Sequence, residues 1–128
     1  MIITTSLIKK QTNSNEEFNY KSFIFKIILT GKIDKTDSIN FWLFVKTLIE
    51  GGSLKILLDM SNLETIDSKG IGKIIGLVKL IRANSGEMVL VNDSQFIKEI
   101  FISLNMQEYI KVFTNETDAM KYMFALHP

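Results

Sequence analysis

The chain has no cysteine among its 128 residues and one histidine, His127. Disulfides, a thiolate nucleophile and cysteine-ligated metals are therefore excluded. So are a histidine-based catalytic triad and a multi-histidine metal site. An excess of one charge sign is also missing. Fifteen basic residues face fourteen acidic ones, for a formal net charge of +1. No bulk basic field points to nucleic acid. No apolar run approaches the roughly 18 residues that span a bilayer, so no membrane insertion is expected. The opening Met1-Ile2-Ile3-Thr4-Thr5-Ser6-Leu7-Ile8-Lys9-Lys10 lacks a basic start followed by a sustained apolar segment. It does not resemble a signal peptide, and cytoplasm is the expected location.

What is present describes an ordinary globular chain. Hydrophobic residues make up 46% and charged residues 23%, enough for one domain over 1–128 with one real core. Residues 2–8 suit a short edge strand, and the polar 11–21 stretch a loop or hairpin connection. Phe23 to Leu29 reads as a strand, broken by Thr30-Gly31-Lys32-Ile33-Asp34. A helix is expected from about Asp37 to Glu50, with Phe41, Phe44, Val45 and Leu48 on one face. Leu54 to Met60 reads as a strand covered on both faces. A polar turn and a helix from Ser68 to about Asn84 follow, with Ile71, Ile74, Ile75, Val78 and Ile81 as its core stripe. Glu87 to Asn92 is the next strand, and Asp93 or Ser94 caps a helix to about Leu104. Tyr109 to Phe113 is a short last strand, and Asn115 or Thr117 opens a terminal helix. This alternation predicts an α/β fold with a mostly parallel central sheet of four to five strands and about four helices.

Chemistry concentrates after the strand that ends at Met60. The turn Ser61-Asn62-Leu63-Glu64-Thr65-Ile66-Asp67 delivers Ser68 to a helix start. There the residue meets unpaired backbone N–H groups and the positive end of the helix dipole. Ser68 or Asp67 then serves as a helix cap, or the position holds a phosphate. Behind it stand Gly70, Gly72 and Gly76. An interior helix glycine costs about 1 kcal/mol relative to alanine. Gly72 and Gly76 share a face away from the isoleucine stripe. They allow either close packing inside the molecule or close approach by another protein.

Asp34, Asp59 and Asp67 fall near the C-terminal ends of strands, where parallel α/β folds place their sites. They are candidates for a divalent cation or acid–base work, against the simpler reading as caps. Trp42 lies off the main stripe of its helix. Lys32, Lys35, Lys69 and Lys73 are a candidate basic patch near the serine, or ordinary solvated charge. Neither a Gly-x-Ser-x-Gly elbow nor a Gly-Lys-Ser/Thr phosphate loop occurs, which disfavours a serine hydrolase or a nucleotide-hydrolysing enzyme.

Three segments resemble one family. These are Leu29-Thr30-Gly31-Lys32-Ile33-Asp34, the run Leu57 to Leu63 continuing through Ile66-Asp67-Ser68-Lys69-Gly70-Ile71-Gly72, and Gly86 to Asn92. Over about residues 22–125 the chain resembles the STAS domain of bacterial anti-sigma factor antagonists. The resemblance implies a binding module that performs no chemistry on a metabolite and needs no cofactor. In that family the serine after the aspartate is phosphorylated by a kinase that doubles as the anti-sigma factor, and a cognate phosphatase reverses it. That serine maps to Ser68. The partner-facing surface maps to Asp34, Asp67, Ser68, Lys69, Gly70, Gly72, Lys73 and Gly76. The chain departs from the pattern at Lys69 (often a second serine), Lys32 (usually acidic), Asn105 (commonly glycine) and a longer 11–22 stretch. The two added basic residues imply an altered charge preference in the partner. A non-phosphorylated STAS subunit of a transport or signalling complex is the alternative, and a weak nucleotide-binding protein a second one.

Overall fold

The computed structural model describes residues 2–9, 23–33, 35–52 and 55–125. The elements run β1 (Ile2–Lys9), β2 (Phe23–Ile33), α1 (Lys35–Glu50), β3 (Lys55–Ile66), α2 (Ser68–Ala83), β4 (Glu87–Val91), α3 (Gln95–Ser103), β5 (Lys111–Phe113) and α4 (Glu116–Ala125). The five strands form one sheet in the order β1-β2-β3-β4-β5. β1 is antiparallel to β2, and the other three pairings are parallel. The expected connection over 11–21 lies outside the described residues.

The helix arrangement follows from the strand order. Each parallel step moves one strand in the same direction, and crossovers are right-handed. α1, α2 and α3 must therefore cover the same face. Ile27, Leu29, Ile56, Leu58 and Met60 point to that face and pack with Phe41, Val45, Ile74, Leu77, Ile81, Ile97 and Phe101. The alternate residues Ile24, Leu57, Val89 and Val91 point the other way, where Ala119 and Met123 of α4 cover them. Lys26 shares that second face and donates to Glu116 at 2.7 Å, tying β2 to α4. Leu77 holds the fully buried place expected of Ile75, which packs at the edge of the same core.

Two expectations are corrected in the segment that leads to Ser68. β2 does not break at Thr30, and β3 does not end at Met60. Both strands continue, pairing Thr30 with Asn62, Gly31 with Leu63, Lys32 with Thr65 and Ile33 with Ile66. β3 supplies an extra residue at two bulges, between Ile28 and Thr30 and between Gly31 and Lys32. Gly31 has φ of 97°, which its missing Cβ permits. The polar sequence of 61–65 has a physical cause. β4 stops pairing with β3 at Asp59. Beyond that point only the β2–β3 ribbon remains, with Ser61, Asn62, Glu64 and Thr65 exposed and Leu63 and Ile66 at the edge of the core, so no continuous apolar run is demanded.

Helix ends also differ in detail. α3 and α2 close with Asn105 (φ 56°) and Ser85 (φ 63°) in the left-handed region. The N–H of Met106 returns to the carbonyl of Phe101 at 2.9 Å, and that of Gly86 to Ile81 at 2.8 Å, as in a Schellman ending. Asparagine tolerates this conformation better than most side chains. This is how Asn105 stands where the family commonly has glycine.

Glu87 opens β4 with its side chain only 13% exposed, 3.5 Å from Arg82. Burial pushes its carboxyl above the ordinary range, and Arg82 and Lys111 offset this only in part. The folded protein therefore binds this proton more tightly than the unfolded chain does. Stability contributed here is present at low pH and lost as pH rises through the folded value. Glu87→Gln is expected to flatten the stability profile between about pH 4 and pH 7, read by urea denaturation across that range.

Candidate functional site

The β2–β3 ribbon ends at Ile66, Asp67 follows it, and α2 begins with Ser68. Asp67, not Ser68, is the cap. Its backbone is extended (φ −91°, ψ 177°), and its Oδ1 accepts from the Gly70 N–H at 2.8 Å. The Asp67 carbonyl accepts the first helical bond, from Ile71, at 3.0 Å. Ser68 is thus the first helical residue and is exposed. Its hydroxyl is not used for capping. The Ser68 and Lys69 N–H groups keep no intrahelical acceptor, and the helix dipole adds positive potential there. An anion on Ser68 meets favourable electrostatics from its own domain.

Asp67→Ala should cost about 1 kcal/mol of stability, and Asp67→Asn should restore most of it, because asparagine caps equally well. Urea denaturation of the pair checks this.

The glycines divide into two kinds. Gly70 is buried, and a Cβ built on it would lie 2.7 Å from Ile66 Cγ1. It lets the helix start fold back onto the end of β3. The expectation that Gly70 faces a partner does not fit this burial. Gly72 and Gly76 are exposed. A Cβ on Gly72 would meet nothing within 4 Å, and one on Gly76 only Trp42 Nε1 at 3.9 Å. Packing inside the molecule therefore does not require either.

Lys69 and Lys73 flank this strip. Lys69 is exposed, and Lys73 places its ammonium 4.9 Å from the centre of the Trp42 ring. Lys46, one turn along α1 from Trp42, lies 4.8 Å from the same centre. The Lys73–Trp42 contact joins α1 to α2, and neither contact was legible as a motif. Lys32 sits apart on the ribbon, 4.0 Å from Glu64, with both side chains exposed. Such a pair contributes little. The side chain of Lys35 and the whole of Asp34 lie outside the described residues.

Asp59 and Asp67 do not form one centre. Asp59 Oδ1 accepts from the Ser61 N–H at 2.9 Å, and Asp67 caps α2. β3 separates them by eight residues, roughly 25 Å of extended chain. Asp59 and Ser68 are likewise too far apart to act on one group. Among the described residues, no three His, Cys, Asp or Glu side chains are placed to hold a metal ion. A hollow of about 210 Å³ opens between the ribbon and the start of α3, beside Met60, Leu63, Asn92 and Phe96. Its buried Asn92 amide is satisfied by Met60 and Ser94. Among the described residues, no helix is long and apolar enough to cross a membrane.

Known proteins are similar to this chain. Over 80 residues the chain is 29% identical to a Thermotoga maritima protein named as an anti-sigma factor antagonist, covering 62% of this chain and 70% of that one. Over 65 residues it is 29% identical to the anti-sigma F factor antagonist of Paenibacillus polymyxa, covering 51% of this chain and 56% of that relative. The solved structure of the antagonist SpoIIAA in its unphosphorylated form aligns with a TM-score of 0.68 at 19% identity, over 95% of this chain and 98% of that one. The phosphorylated form of Bacillus SpoIIAA aligns at 0.66 and 20% identity, over 93% and 98%. The five-stranded sheet with four helices is that fold. Residues 16–119 match the STAS domain, and the chain belongs to the STAS domain family.

Proposed function

We propose that this chain is an anti-sigma factor antagonist, a cytoplasmic protein-binding module switched by phosphorylation at Ser68. It binds an anti-sigma factor that is also a serine kinase while Ser68 carries a free hydroxyl. The kinase transfers the γ-phosphoryl group of ATP to Ser68 Oγ, the hydroxyl proton leaves to the kinase, and the complex dissociates. A cognate phosphatase restores the hydroxyl by hydrolysis. The module itself catalyses nothing in this scheme.

One observation carries the reading. Asp67 alone caps α2, so Ser68 stands exposed at the helix start with an uncommitted hydroxyl. A serine needed as a cap would tie its oxygen to the backbone and withhold it from a kinase. Lys69 beside it and the outward N–H groups favour the phosphorylated form without rearrangement. The relatives named as antagonists, and the likeness to SpoIIAA in both phosphorylation states, support the same scheme. Exposed Gly72 and Gly76 let a partner backbone approach α2 closely.

The test is incubation with the kinase and ATP, followed by peptide mass spectrometry. Phosphate is expected on Ser68. Phosphate on Ser61 or Thr65 instead, with none on Ser68, would overturn the assignment.

A further inference from the structure

Between α1 and α2 lies a hollow of about 390 Å³, bordered by Ser38, Ile39, Lys69, Gly72 and Lys73. Gly72 leaves its floor open, and Gly76 extends the open strip by one turn. On the α1 side the hollow meets exposed Ile39, 45% accessible, and Leu43, 49% accessible, lies one turn further along the same face, outside the hollow itself. The α2 wall is cationic. Lys69 and Lys73 have no carboxylate within ion-pair distance among the described residues. Lys46, at the far end, reaches Glu50 at 3.8 Å and also leans over Trp42. Two ammonium groups are thus held against one indole at the edge of the strip. The indole attracts both through its ring quadrupole and holds them near the hollow.

We infer that this hollow docks an acidic, amphipathic helical segment of a partner protein. Its apolar side chains rest on Ile39 and Leu43, and its carboxylates meet Lys69 and Lys73. A helix is the fitting occupant because the two walls are helices. They present side-chain ridges and no free strand edge, and the missing Cβ atoms allow a close interaxial approach. An acidic occupant is selected by charge. A basic segment would bring like charges against two lysines that have no carboxylate partner among the described residues. The inference deepens the proposed function: it rests on that reading for which protein supplies the segment, but not for the chemistry of the docking surface.

Trp42 is the only tryptophan of the chain, so its fluorescence reports on this strip alone. The probe is a stapled helical peptide with leucines four residues apart, flanked by glutamates. A twin carries lysine in place of each glutamate. The acidic peptide is expected to shift Trp42 emission saturably and to bind at least about tenfold tighter than its twin. It should weaken as salt rises from about 0.05 M to about 0.5 M. Leu43→Glu and Lys73→Glu should each reduce its binding at least about tenfold. Gly72→Glu, built into open space, supplies a further variant, and thermal melts confirm that each one folds. Equal binding of the two peptides, an unresponsive Trp42, or variants that bind like wild type would overturn the proposal. The two readings can fail separately. If the serine kinase binds the wild type and all three variants alike, the docking surface is refuted and the antagonist reading stands. If the acidic peptide occupies the strip while the kinase neither binds nor phosphorylates the chain, the antagonist reading falls and the docking surface stands.

Discussion

Ser68→Asp is expected to keep the stability of the wild type and to raise the dissociation constant for the serine kinase at least about 100-fold. The two halves of this result have separate causes. Ser68 is exposed, makes no cap bond and begins α2. A carboxylate at this position faces unpaired N–H groups and the positive helix end, a gain of roughly 0.3–1 kcal/mol. No packed neighbour opposes it. The domain therefore tolerates the charge, and the loss must fall at the interface. There a desolvated negative group meets a partner that, in the inference above, is itself acidic. Like charges in juxtaposition cost several kcal/mol. A phosphate carries about −1.5 to −2 charge and should act more strongly than aspartate. Ser68→Ala should bind the kinase persistently in the presence of ATP. Calorimetric titration of the three proteins, with urea denaturation alongside, reads both halves at once. A Ser68→Asp protein that is destabilised by more than about 2 kcal/mol would show that the charge acts on the fold instead.

The sheet and its helices were legible because their signals are long and periodic. Buried strands such as Ile56 to Met60 and the stripe of α2 leave little choice of element. The ribbon was not legible, for a reason visible in its pairing. A strand with one neighbour, whose Leu63 and Ile66 only edge the core while Ser61, Asn62, Glu64 and Thr65 are exposed, carries a weak apolar signature, so Ser61 to Ile66 reads as a turn. Ser68 stands out in the sequence through its helix start, but the sequence left the capping role open between Ser68 and Asp67. Only the 2.8 Å bond from the Gly70 N–H to Asp67 decides it. Asp59 and Asp67 do not converge, for the opposite reason. Proximity to strand ends was sound, but the length added to β3 carries Asp67 far from Asp59. The lysine–tryptophan cluster joins α1 to α2 across about thirty residues of sequence, and no local pattern announces such a pairing.

The three helix glycines should respond to substitution in opposite directions, and the contrast separates folding from recognition. At Gly70 a new Cβ would lie 2.7 Å from Ile66 Cγ1. That carbon is near the root of its side chain and cannot simply swing aside. Gly70→Val is expected to lose about 2–3 kcal/mol, because overpacking at the ribbon–helix junction exceeds the helix-propensity gain. Against a typical stability of about 5–15 kcal/mol this is a large fraction. At Gly72 nothing lies within 4 Å, and at Gly76 the 3.9 Å contact with Trp42 is ordinary van der Waals distance. Gly72→Ala and Gly76→Ala should each gain about 1 kcal/mol. Folding alone therefore favours alanine at both exposed positions. Keeping glycine there sacrifices stability that the fold does not demand back, which fits a strip reserved for close approach. The doubly substituted protein should melt higher than wild type and bind the kinase more weakly. A double variant that is more stable and binds undiminished would remove α2's exposed strip from the interface.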